Sequence, residues 1–178
     1  LSNLSAINDW KFADDDISLN HSNSMAINLA NIAATMVLNI KNLELHDKRI
    51  LECALDVQLL SGMAMTICGS SRPCSGSEHI ISHALDYMGL EQDILHGEKV
   101  GTISEFTIFV QGDIVKEASK LLRKLKIEKG IPGLKYLNEK DAIDFFNFAK
   151  ELRPDRVTIL DKYSAKELYK LHLDFLET

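Results

Sequence analysis

The sequence predicts an all-α chain, a helical bundle, from three observations. Apolar residues recur at helical spacing over most of the length. The three prolines and nine glycines are few for 178 residues and fall where helices would stop. No Asn-Gly or Asp-Gly hairpin turn, internal repeat or low-complexity tract is present.

The elements follow in order. Ser24 to about Ile40 carries Met25, Leu29, Ile32, Ala33, Met36 and Ile40, the spacing of a buried helix. Asp47 opens a helix to about Met65 with Ile50, Leu51, Ala54, Leu55, Leu59 and Leu60 on its apolar positions, and Gly69 closes it. Ser75 and Glu78 read as a capping box for a helix from Ser75 to Gly89. Val100 to Val110 is rich in β-branched residues, a strand-like composition. Flanked by helices and with no partner strand in reach, it is expected to be a buried helix. Asp113 can cap a helix through Leu121 and Leu125 toward Gly130. Asn138 can cap one carrying Ala142, Phe145, Phe146 and Ala149, ended by Pro154. Ser164 with Glu167 reads as a capping box for a last helix through Leu168, Leu171 and Phe175.

Composition narrows the function. Hydrophobic residues make up 46% and charged residues 26%, enough apolar surface for one domain spanning 1–178 with a real core. A net charge of −6 argues against nucleic-acid binding by electrostatics. No apolar run approaches the roughly 18 residues needed to span a bilayer, so no membrane partner is expected. Three cysteines (Cys53, Cys68, Cys74), without metal-type spacing, suit a reducing, cytoplasmic setting. The first residue is Leu1 rather than Met, and nothing near it resembles a signal peptide. The sequence is therefore expected to be part of a longer protein.

Chemistry concentrates in Ser70 to Gly101. A helix starting at Ser75 puts His79 and His83 one turn apart on one face, and His96 follows just before Gly97. Two imidazoles at that spacing can share a metal, or one can bind metal while the other moves protons. A single histidine on such a face is ordinarily a hydrogen-bonded structural residue, but a pair is harder to explain by packing. Glu78 is accounted for by the capping box, and Asp86 and Asp93 by solvent. Cys74 sits where a helix N-terminus lowers a thiol pKa, but no base accompanies it. From spacing alone this is a two- or three-histidine site, one ligand short.

The segments SRPCSGSEHIISH (71–83) and LHGEKVG (95–101) resemble the metal-binding region of sn-glycerol-1-phosphate dehydrogenases. These belong with the iron-containing alcohol dehydrogenases, glycerol dehydrogenases and dehydroquinate synthases. The opening LSNLSAINDWKFA and the closing RPDRVTIL resemble the same family's C-terminal domain. The resemblance implies a two-domain enzyme. An N-terminal α/β domain binds NAD or NADP, and residues 1–178 form the helical metal- and substrate-binding domain. No glycine-rich phosphate turn occurs in this sequence, whose glycines are all isolated.

In the family a divalent metal is held by one Asp and two His. The histidines correspond to His79 and His96. The Asp belongs to a Gly-Asp pair expected immediately before the opening LSN, and Asp9, Asp14, Asp15 and Asp16 do not match its position. The resemblance further implies that dihydroxyacetone phosphate and sn-glycerol 1-phosphate are interconverted by hydride transfer, with the metal as Lewis acid. His83 corresponds to a position used for proton relay or substrate contact. Arg72 is a candidate donor to the substrate phosphate. Lys99 is expected to be solvated, and Arg153 and Arg156 to pack the chain end. Zinc is the first choice of metal, with nickel or iron as alternatives. An acidic chain suits a small phosphate ester, which needs only a locally positive pocket.

The other expected partner is a second copy of the chain, with homo-oligomer formation left open. Competing readings are a glycerol or polyol dehydrogenase, a dehydroquinate synthase-like lyase, and a non-enzymatic helical module. The chain by itself is expected to be inactive.

Overall fold

A computed structural model describes residues 1–13, 21–39, 47–112, 116–124 and 127–178. The described residues form eight α-helices, two short 3-10 turns and no strand, as an all-α chain requires. The helices are α1 (Ser2–Ala13), α2 (His21–Leu38), α3 (Lys48–Cys68), α4 (Ser77–Tyr87), α5 (His96–Val110), α6 (Lys116–Lys124), α7 (Glu139–Glu151) and α8 (Ala165–Glu177). Within 1–178 the chain groups into two compact units, Leu1–Gly76 and Ser77–Thr178.

The first unit is built from α1, α2 and α3. Its core joins Ile7 and Trp10 of α1 to Ala26, Ile27 and Ala30 of α2, Ala64 of α3 and Cys74. This corrects the apolar face read from spacing. On α2 the buried positions are Ala26, Ile27, Ala30, Ala33 and Ala34, whereas Met25 and Ile32 are exposed. On α3, Leu51, Leu55 and Leu59 are each more than 60% exposed, and Ser61 and Ala64 are the buried residues. Small side chains let two helices approach closely, so the alanine stripe packs while the larger residues stay outside. Asn3 ties the three helices together. Its Nδ2 donates to the Ala30 carbonyl (3.3 Å) and to Ser61 Oγ (3.0 Å).

Helix α3 has the expected signals at both ends. Asp47 accepts from the Arg49 amide at its start, and Gly69 takes the left-handed conformation (φ 70°) at its end. By length and composition alone α3 could cross a membrane, the one described helix of which this is true. The expectation that no segment meets that criterion is therefore corrected. Ile40 and Asp14, Asp15 and Asp16 lie outside the described residues, as do Asp113 and Leu125 and the side chain of Leu121.

The second unit is built around α5, which is buried on nearly every side. Its β-branched stretch is helical, as expected. Three hydroxyls satisfy themselves on their own helix: Thr102 donates to the Lys99 carbonyl (2.8 Å), Ser104 to Val100 (2.6 Å) and Thr107 to Ser104 (3.1 Å). The core gathers Phe106, Phe145, Phe146 and Phe175 with Ile81, Leu85, Ile103 and Leu168. Helices α7 and α8 begin at the caps read from sequence. Asn138 accepts from the Asp141 amide (3.0 Å), and Ser164 and Glu167 form a reciprocal capping box.

His172 is buried to 1% exposure in this core, a residue that the apolar spacing did not single out. Its Nε2 accepts from the Ile131 amide at 3.0 Å, and burial lowers its pKa from 6.5 to about 4. Between those values the unfolded chain binds a proton that the folded chain does not. This contribution to stability is whole above pH 6.5 and is lost as pH falls toward 4. The loss should amount to about 2 kcal/mol by about pH 5. Denaturant unfolding of the native chain and of His172→Gln, near neutral pH and near pH 5, checks this. The native chain should lose stability more steeply, and equal losses would contradict the assignment.

Candidate metal centre

The site is built where α4 meets α5. Helix α4 starts at Ser77, two residues after the capping box placed it, and ends before Gly89, whose φ of 69° turns the chain. Leu90 to Leu95 connects to α5, which His96 opens. His79 and His83 therefore lie one turn apart on α4, and His96 comes to them from the first turn of α5. The His79 and His96 ring centres are 5.6 Å apart, and those of His83 and His96 6.1 Å apart with the rings stacked.

Two imidazoles sharing one tetrahedral metal have ring centres roughly 5 Å apart, given metal–nitrogen bonds of about 2 Å. The His79–His96 pair is close to that spacing. Each ring also has a partner at Nδ1: Glu78 Oε1 lies 2.8 Å from that of His79, and Ser82 Oγ 3.4 Å from that of His96. A ring protonated at Nδ1 leaves on Nε2 the lone pair that a metal takes. These residues fit a divalent metal as two of its ligands. Among the described residues no group of three or more His, Cys, Asp and Glu is placed to hold one.

His83 is more exposed than His79. Partial burial and the neighbouring His79 and His96 move its pKa below the ordinary histidine value, against the opposing pull of Asp86. Arg72 belongs to the first unit, half-buried in the turn after α3, where its amide donates to Ser70 Oγ at 3.3 Å. Arg153 pairs with Asp155 at the surface.

Lys99 differs from its sequence reading, and Glu78 has a contact that its reading did not include. Lys99 was expected in solvent, yet its side chain is 4% exposed and pairs with Asp86. The pair joins α5 to α4 one turn beyond His96 and His83. Glu78 is wholly buried and its carboxylate holds the His79 ring. The signal for both was local: Asp86 and Lys99 each stand three residues after a histidine, and Glu78 directly precedes one.

No family model matches the chain. It is similar to proteins named glycerol-1-phosphate dehydrogenase [NAD(P)+]. That from Pyrococcus furiosus is 32% identical over 166 residues, covering 91% of this chain and 46% of the relative. That from Nitrosopumilus maritimus is 35% identical, covering 90% and 44%, and that from Thermofilum pendens 37% identical, covering 80% and 41%. The chain spans a little under half the length of these relatives.

Replacing Lys99 by Met should destabilise the chain by about 1–2 kcal/mol. Removing one partner of a buried pair is costly, but the half-exposed Asp86 can recover water. A urea midpoint that does not fall would contradict a holding role for the pair.

Proposed function

We propose that this chain, related along nine-tenths of its length to the glycerol-1-phosphate dehydrogenases, is the metal- and substrate-binding part of such an enzyme. The reaction would interconvert dihydroxyacetone phosphate and sn-glycerol 1-phosphate with NAD or NADP. The observation that carries this is the approach of the His79 and His96 rings, whose centres are 5.6 Å apart, within the segment whose motifs resemble that family's metal site. Residues 1–178 would act as one functional domain. NAD(P) would be held mainly by residues outside this sequence, which has no glycine-rich phosphate turn. The names of the relatives support the nicotinamide cofactor and the phosphorylated substrate.

His79 and His96 would hold the metal, zinc being the best match to two imidazoles, with nickel or iron as alternatives. Bound there, the metal supplies Lewis-acid polarisation of the substrate oxygen. Glu78 and Ser82 fix the two rings from behind. His83, one turn along α4, takes the proton from the substrate hydroxyl in the oxidising direction and returns it in the reducing one. The Arg72 guanidinium has the fork geometry to donate twice to a phosphate. Lys99, committed to Asp86, contributes to the scaffold rather than to substrate binding. The cytoplasm is the proposed location, supported by three free cysteines.

Assaying the complete gene product with NADH or NADPH tests this reading. It should reduce dihydroxyacetone phosphate, and His96→Ala should lower kcat/KM by about a thousandfold, the loss of several kcal/mol of charge stabilisation. The 178-residue chain alone should show no turnover. Reduction of dihydroxyacetone with equal efficiency would point instead to a polyol dehydrogenase, and phosphate elimination from a substrate to a lyase.

A further inference from the structure

We propose that Glu78 is a positioning residue that fixes the proton of His79 on Nδ1 and so presents Nε2 to the metal. The inference rests on the reading of His79 as a metal ligand and adds what prepares that ligand. Three observations carry it. Glu78 is 0% exposed, a rare state for a glutamate unless its carboxylate is paired. Its Oε1 lies 2.8 Å from His79 Nδ1, the length of a charge-assisted hydrogen bond. The two residues are consecutive in the first turn of α4, where side chains ordinarily point apart, so the contact is made by the buried Glu78 side chain turning to the ring.

The physical consequence is a choice of tautomer. A neutral imidazole carries one proton, and a carboxylate that accepts at Nδ1 keeps that proton there. The carboxylate also raises the basicity of the ring toward a metal, and losing such a partner ordinarily weakens metal affinity 10–100-fold. His96 has a different partner, a neutral hydroxyl at 3.4 Å, so its ring is held less firmly. The two proposed ligands are thus unequal. His79 is the preset one, and His96 would supply the second imidazole from the start of the neighbouring helix. The capping-box reading of Glu78 concealed this role, because a carboxylate in a helix's first turn is accounted for by the helix end alone.

Two measurements on the 178-residue chain test the proposal. Imidazole 15N NMR of the metal-free native chain at neutral pH should show His79 protonated at Nδ1. A ring protonated at Nε2 would overturn the proposal while leaving the metal-site reading standing. This readout needs no variant and so does not depend on whether a substitution folds. Competition with a chelator should then show zinc affinity falling 10–100-fold in Glu78→Gln, with far-UV circular dichroism unchanged. Native affinity in a folded Glu78→Gln chain would overturn the proposal, since a purely structural carboxylate would leave affinity intact. Zinc binding that is unaffected by removing both His79 and His96 would overturn the site reading, and this one with it.

Discussion

The arrangement of the site depends on the register of α4 against α5, which the ion pair between Lys99 and Asp86 holds together with the core shared by Ile81 and Leu85 of α4 and Ile103 and Phe106 of α5. Lys99 is buried and Asp86 lies at the edge, so the pair keeps its lysine out of water without isolating both charges. Desolvating only one partner avoids most of the cost that makes buried ion pairs poor stabilisers. Asp86 follows His83 by one turn and Lys99 follows His96 by one turn. Sliding α5 along α4 by a single residue would break the pair and separate His96 from the other two rings. The three histidines are therefore neighbours only while that register holds.

Beneath that contact, α5 is an unusual central helix because threonine and serine face its surroundings on several sides. Turning those hydroxyls back onto carbonyls of the same helix removes the cost of burying them and leaves methyl groups and side-chain edges to pack. Its own Phe106 then shares one core with Phe145 and Phe146 of α7 and Phe175 of α8. A stiff central helix suits a site whose second ring, His96, stands at that helix's first residue.

Much of this was legible because local chemistry sets helix ends. Asn138, Ser164, Asp47 and Gly69 begin or end helices for reasons contained within four or five residues, and the structure keeps them. The grouping of His79, His83 and His96 was legible for the same reason, from a one-turn spacing and a short connection. What was not legible depends on tertiary surroundings. Spacing identified Leu51, Leu55 and Leu59 as an apolar stripe, but it cannot distinguish a stripe that packs from one that is left outside. The alanines of α2 won that contact by being small. Lys99 reads as a solvated lysine until α4 brings Asp86 to it, and nothing in the apolar spacing marks His172 as the buried acceptor for the Ile131 amide.

The central claim is that His79 and His96 act together on one ion. X-ray absorption on the zinc-loaded chain tests it most directly by counting the imidazoles bound to the metal. Two histidine nitrogens at roughly 2.0–2.1 Å, with oxygen completing the shell, are predicted, and the count should fall to one in either His79→Ala or His96→Ala. A shell with one histidine or none in the native chain, or one containing cysteine sulfur, would contradict it.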